Sequence, residues 1–408
     1  MSTRPFALVV LLAAGFLTGC GPGKAGLRAR AAARQRLNIV NAEIGHDQAV
    51  QALEAGQFDK ATREVARAIM MNPTWATYRV TEGRIFLETH RLEKAIRAFE
   101  KALELRPDYP AAHYYCGIVY QRWSDDTRAY DHYMSAFEQE PDRVGYLLAA
   151  AESLVALDQL DAAKHLIDSK VTYFEHNSAL RHLLGQIALL QDDPAGAAVL
   201  YSEAWRLRPD ADALLEELAR TQYAAAMYGE AYKSVKQLQD RPGKSDRPEL
   251  KHLEARCLTA LDRHIEARNL YVELTRLNPT DTDLWIELGI VAWEIGDYHR
   301  MALCGARITA LAPRDFEGYM LKGLNERHHG DLSEAVVFLR QAADRAGKST
   351  LPHLLLGHVL QQAGEHSKAM DAYAAALRID PDNQDAQTLW EEGQPQLLAA
   401  PTEQQRNE

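Results

Sequence analysis

The sequence predicts an all-α protein, a solenoid of about ten helix–turn–helix repeats closed by a C-terminal capping helix. Three observations predict it. Seven prolines, Pro73, Pro107, Pro141, Pro209, Pro279, Pro313 and Pro381, stand 34, 34, 68, 70, 34 and 68 residues apart. That is a 34-residue period with beats missing and a two-residue insertion. Each proline follows an apolar-periodic run, and its ring and missing N–H end the helix there. Between prolines, small and aromatic residues recur at helical spacing. In the stretch Leu92–Asp108, Ala95, Phe99 and Ala102 share one face and Pro107 closes the helix. A third signal is the turn Ala55-Gly56-Gln57-Phe58, echoed at Gly296-Asp297 and Gly330-Asp331, where glycine supplies a positive φ at a helix end.

Residues 1–19 stand outside this pattern. Arg4 precedes an apolar run of twelve, Phe6 to Leu17. The run is shorter than the roughly 20 residues a membrane-spanning helix needs, so it reads as a cleaved signal peptide. Leu17-Thr18-Gly19-Cys20 resembles a bacterial lipobox. The resemblance implies cleavage before Cys20 and acylation of that cysteine, giving a stable membrane anchor when two or more chains are attached. An ordinary secretory signal with a chance cysteine is the other reading. Gly21 after Cys20, by the same resemblance, favours the outer membrane. Residues 20–41 then comprise the lipidated cysteine, a Gly/Pro-rich tether over Gly21–Gly26, and a lead-in helix carrying Arg28, Arg30, Arg34 and Arg36. Those arginines form a solvated face or rest on acidic lipid headgroups.

The array follows over 42–383. Repeats start near Ala42, Ala76, Pro110, Val144, Ser178, Asp212, Pro248, Thr282, Phe316 and Thr350. The fourth is degenerate, with Lys170 and Glu175 where Ala and Pro are expected, and Gln239–Pro248 is expected to be the loosest interior segment. Over 384–408, Asn383 to Glu392 is expected to form the cap, with Leu389 and Trp390 covering the last apolar face, before a disordered polar tail from Gly393.

The spacing resembles the tetratricopeptide repeat family, whose unit carries small residues at positions 8 and 20, an aromatic at 24, Ala at 27 and Pro at 32. Gly83, Ala95, Phe99, Ala102 and Pro107 match it, as do Gly117, Ala129, Tyr133, Ala136 and Pro141. So do Gly185, Ala197, Tyr201, Ala204 and Pro209, and Gly357, Ala369, Tyr373, Ala376 and Pro381. The resemblance implies a right-handed superhelix whose first helices line a concave groove. The groove positions it implies include Arg84, Tyr114, Arg122, Glu152, His182, Arg220, Tyr223, Arg256, Trp293 and Arg327. Aromatic and Arg side chains suit anchoring of a protein partner. The family's clamp of paired Lys and Asn, which would hold an acidic C-terminal peptide, is missing.

Other chemistry is weakly supported. The net charge of −11 and lack of a dense basic patch argue against nucleic acid. Gly243-Lys244-Ser245 and Gly347-Lys348-Ser349 lack the earlier glycine and preceding strand of a phosphate loop, so no nucleotide is expected. Cys116, Cys257 and Cys304 form no C-x-x-C pair and read as buried small apolar residues. No metal, cofactor or catalytic motif emerges, and the chain does not read as an enzyme. The composite expectation is a lipid-anchored scaffold on the periplasmic side of a bacterial envelope, holding an envelope protein in its groove during assembly of a pilus, secretion or outer-membrane machine. It resembles lipidated repeat proteins such as pilus-assembly pilotins. The alternative is an accessory factor for polysaccharide export or cell-wall synthesis that engages glycan or a glycan enzyme, with Tyr114, Tyr115, Tyr223 and Trp293 as stacking platforms for sugar rings.

Overall fold

The computed structural model describes residues 24–170 and 173–399. Residues 1–19, read above as a signal peptide, Cys20 and the end of the tail lie outside them. Every described element is an α-helix. None is long and apolar enough to cross a membrane. The chain divides into two compact units at Glu175 and His176.

The first unit pairs α1 (Lys24–Glu54) with α2 (Phe58–Met71), α3 (Ala76–Glu88) with α4 (Leu92–Leu105), α5 (Pro110–Arg122) with α6 (Asp126–Gln139), and α7 (Val144–Ala156) with α8 (Leu160–Asp168). The second pairs α9 (Ser178–Leu190) with α10 (Pro194–Leu207), α11 (Asp212–Ala224) with α12 (Tyr228–Gln239), and α13 (Pro248–Ala260) with α14 (His264–Leu277). It continues with α15 (Thr282–Glu294) and α16 (Tyr298–Leu311), α17 (Glu317–His329) and α18 (Leu332–Ala343), and α19 (Leu351–Gln362) and α20 (His366–Ile379), before α21 (Gln384–Ala399). Each odd-numbered helix opens a repeat at or within a residue of the start read from the sequence, from the second repeat onward.

One backbone device repeats in all ten pairs. A residue one or two places past the end of the first helix takes a left-handed conformation: Gly56, His90, Ser124, Asp158, Asp192, Ala226, Asp262, Gly296, Gly330 and Gly364. These stand 34 apart throughout, except for 36 between Ala226 and Asp262. The next residue's N–H reaches back to a carbonyl five positions earlier, as Gln57 to Ala52 at 2.8 Å and Asp193 to Ala188 at 2.9 Å. This closes the helix end and turns the chain. The second helix then starts under an aspartate cap in several repeats, with Asp125, Asp193, Asp297 and Asp331 each accepting from the backbone N–H three residues on.

Packing explains the glycine at position 8. Tyr133 lies so close to Gly117 that a Cβ there would meet its Cε1 at 2.5 Å, and Tyr201 crowds Gly185 at 2.6 Å. Phe99 and Tyr373 cover Gly83 and Gly357 in the same way. These rings are buried, and the alanines at position 27, among them Ala102, Ala136, Ala204 and Ala376, are fully enclosed. The proline carbonyls serve as inter-repeat sockets. Pro107, Pro279 and Pro313 accept from His113 Nε2 (2.9 Å), Trp285 Nε1 (3.0 Å) and the Tyr319 hydroxyl (3.1 Å), each six residues ahead on the next helix.

Three expectations change. Lys24–Gly26 are not tether but the start of α1, which runs unbroken through the predicted boundary at 41 and 42. The Ala/Arg run that follows has helix propensity enough to carry one glycine. The cap continues past Gly393 to Ala399, because the helical spacing of Trp390, Leu397 and Leu398 persists beyond the glycine. The segment after α12 is non-helical, as expected, but it is tied down. Arg241 donates to Pro209 O at 2.6 Å and pairs with Asp212, Lys244 Nζ lies 3.1 Å from Asp212, and Arg247 grips Glu216 at 2.7 and 3.2 Å.

Candidate partner-binding face

Each repeat turns one face of its first helix inward to the core and leaves the positions flanking it accessible. In the first unit those positions build an aromatic cluster. Tyr114 on α5 contacts the rings of Tyr115 (5.6 Å), Tyr133 (5.6 Å) and Tyr146 (5.1 Å). Tyr115 stacks on buried Phe99 at 5.4 Å, and the Arg84 guanidinium lies 5.6 Å from its ring centre. Ala111, Tyr114, Tyr115, Asp142, Arg143, Val144, Gly145 and Tyr146 enclose a recess of about 500 Å³. Burial, then neighbouring Tyr115 and Glu152, hold the Tyr114 phenol above its ordinary value of 10.0. Burial likewise raises the Glu152 carboxyl, although its side chain keeps access to solvent. The wall therefore offers neutral hydroxyls and aromatic faces beside two acids, Asp142 and Glu152, and two arginines, Arg84 and Arg143.

In the second unit Arg256 lies 4.7 Å from the Tyr223 ring centre, and its Nε is 3.6 Å from Glu287. With Thr259, Ala260, Tyr271 and Ile290 these residues line a smaller recess of about 210 Å³. Trp293 meets Tyr298 edge-on at 6.1 Å, and Tyr298 stacks on His328.

Other expected groove residues are engaged in joining repeats. His182 Nε2 donates to Glu217 at 2.5 Å and His252 Nε2 to Glu287 at 2.5 Å, each bridging one first helix to the next. Arg122 caps the end of α3 through Leu87 O at 3.3 Å. Arg327 donates to Gln362 at 3.0 Å and to His358 at 3.1 Å. Arg220 pairs with Glu216 at 2.9 Å within its own helix. The structure thus brings Arg84, Tyr114 and Glu152 to one cluster and Tyr223 with Arg256 to another, while His182, Arg122 and Arg327 act as struts.

Sequence reasoning missed Tyr146, Arg143 and Glu287. Tyr146 occupies a repeat position that is core elsewhere, as with Tyr78 and Leu180, and is not among the positions that line the groove by resemblance. A further recess of about 740 Å³ lies among Met134, Phe137, Glu138, Pro141, Ser169, Lys170, Tyr173 and Phe174. Its origin is the degenerate fourth repeat, whose α8 stops after nine residues, before Lys170. Cys116, Cys257 and Cys304 are buried free thiols, pushed up to about 12, 11 and 12 by burial. Lys244 and Lys348 lie in turns between helices, and no strand precedes either among the described residues.

Family models match at residues 83–122 (TPR repeat) and 327–390 (tetratricopeptide repeat). A curated relative, the cellulose synthase 2 operon protein C of Komagataeibacter xylinus, is 25% identical over 314 residues, covering 76% of this chain and 20% of that protein. The BBSome complex member BBS4 of Bos taurus is 29% identical over 128 residues, 31% of this chain and 24% of that one. The chain thus spans about a fifth to a quarter of the length of these relatives. Among solved structures, one of Pseudomonas aeruginosa pilF covers 50% of this chain and 92% of its own at 20% identity, with a TM-score of 0.40.

Proposed function

We propose that this chain, which belongs to the tetratricopeptide repeat family, holds an extended segment of a cell-envelope protein along its first-helix face and so assists assembly of an envelope machine. A repeat scaffold for protein interaction needs no moving parts or cofactor. It needs a rigid wall with anchoring side chains, and affinity concentrates in a few aromatic and Arg positions. The carrying observation is the cluster of Tyr114, Tyr115 and Tyr146 around one recess, with Arg84 against Tyr115, already backed by Phe99 and Tyr133 and so costing little ordering on binding. In this reading Cys20 carries the acyl anchor and the scaffold faces the periplasm, at the outer membrane.

The test is photocrosslinking in cells from positions 114, 223 and 293, followed by mass spectrometry. Adducts to one envelope protein from position 114, lost when Arg84 and Tyr146 are replaced by Ala, support the proposal. Adducts to no protein at any of the three positions overturn it.

A second reading has its own support. Three tyrosine rings facing a recess with Asp142 and Arg143 at its rim suit a sugar ring, and a relative matching 76% of this chain is named for a cellulose synthase operon. On that reading the site engages a glycan during polysaccharide export. Glycan binding that is lost in Tyr114→Ala would favour it, and no binding at millimolar glycan would dismiss it.

A further inference from the structure

The first half of α1 belongs to no repeat. From Lys24 to Asn41 every residue is exposed or half-exposed, in a stretch of helix about 27 Å long. Its charge is one-sided. Lys24, Arg28, Arg30, Arg34 and Arg36 are unopposed by any acid before Glu43, in a chain whose net charge is −11. Its apolar residues are also placed. Ala33, Leu37, Val40 and Ile44 follow a 4-3-4 spacing, so they form one stripe along the helix. At 100° per residue, Arg30 and Arg34 flank one edge of that stripe and Arg36 the other. Leu37, Val40 and Ile44 are 59%, 51% and 50% exposed. Ile44 sits at the repeat position where Tyr78 and Leu284 are buried against a preceding helix. Among the described residues, nothing covers it.

We infer that this half of α1 lies flat on an anionic membrane surface, with the Leu37–Val40–Ile44 stripe in the headgroup boundary and Arg30, Arg34 and Arg36 on lipid phosphates. Charge selects this occupant. A second copy of α1 would set five cations against five with no compensating acid. An apolar segment folding back from residues 6–17 would leave the arginines unmatched. An anionic surface satisfies both features, since apolar burial and electrostatic attraction add in interfacial helices. The inference does not depend on what the recess of Tyr114 binds.

Hydrogen exchange on the full chain tests it, read by mass spectrometry over residues 27–41. Vesicles of phosphatidylcholine alone are compared with vesicles in which about one-third is phosphatidylglycerol. We expect exchange there to slow only on the anionic vesicles and to recover at about 1 M salt, where screening is complete within about 3 Å. Replacing Arg30, Arg34 and Arg36 by Gln keeps the helix and should weaken the protection roughly fivefold per residue. Unchanged exchange on anionic vesicles overturns the inference, as does equal slowing on both vesicle types. Protection that grows with protein concentration without lipid assigns the stripe to a second copy, and protection already present without lipid assigns it to fold-back; either result also overturns it.

Discussion

Glycine does two opposite jobs in this chain, and substitution separates them. Gly117 is there because Tyr133 needs the room, since an added Cβ would sit 2.5 Å from Cε1 of a buried ring hemmed in on its other faces. Gly117→Ala is expected to cost about 1–3 kcal/mol or more, as overpacking does where neither group can retreat. Gly145, near the start of α7, would meet nothing within 4 Å. Gly145→Ala should be neutral or add up to about 1 kcal/mol of helix stability. Urea unfolding of the two variants checks the contrast. The left-handed turn residue gives the converse case. Ala226 holds φ at 57° with no polar side chain to compensate, whereas Gly296 does the same at 71° without a Cβ penalty. Ala226→Gly is therefore expected to stabilise by about 1 kcal/mol, visible as a higher melting temperature. The sequence disclosed three glycine members of this turn series, Gly56, Gly296 and Gly330, but not the non-glycine members His90, Ser124, Asp158, Asp192, Ala226 and Asp262. Their conformation is imposed by the helices on either side rather than by their own preference.

At the scale of elements, the segment between α12 and α13 shows how composition and tertiary structure can disagree. Gly243, Pro242 and Ser245 signal irregular chain, and the chain is irregular there. What holds it are Arg241, Lys244 and Arg247, whose partners Asp212 and Glu216 lie about thirty residues earlier on α11. No local pattern reveals pairing at that distance. Hydrogen bonds from Arg247 hold Glu216 below its ordinary value of 4.5. A carboxylate with a depressed folded pKa contributes stability above its unfolded pKa, and that contribution is lost as pH falls through the folded value. The native protein should therefore destabilise as pH drops below about 4.5, and part of that acid limb should vanish in Glu216→Gln, read from denaturant midpoints across pH. The repeat boundaries, by contrast, were legible, because prolines and small residues at fixed offsets are local. So was the weakness of the fourth repeat, where Lys170 replaces an enclosed alanine. That the same departure opens a recess among Met134, Phe137 and Tyr173 depends on where neighbouring helices end, which one sequence does not state.

Across the whole molecule, the architecture fixes how far a perturbation travels. Within each compact unit, repeats pack on their sequence neighbours, and the cores are successive clusters. One joins Val80, Phe99, Cys116 and Tyr133, and another runs from Ala255 through Leu288 and Leu321 to Tyr373. Stability in such an array is close to a sum of repeat terms and nearest-neighbour interfaces, so opening is local and fades with distance along the chain. A candidate site on α5 and α7 is then supported by α3 to α8 and is indifferent to what happens near α19. That is testable with one substitution at each end. Gly117→Ala should speed amide exchange in α5 and α6 most, in α3, α4 and α7 less, and leave α17 to α20 at their native rates. Gly357→Ala, which drives a Cβ into Tyr373, should do the reverse and leave the recess of Tyr114 intact. Partner crosslinking from position 114 should accordingly survive Gly357→Ala and fall in Gly117→Ala. Equal acceleration of exchange throughout the chain in either variant would mean that the array unfolds as one cooperative body, in which a site on α5 and α7 depends on every repeat.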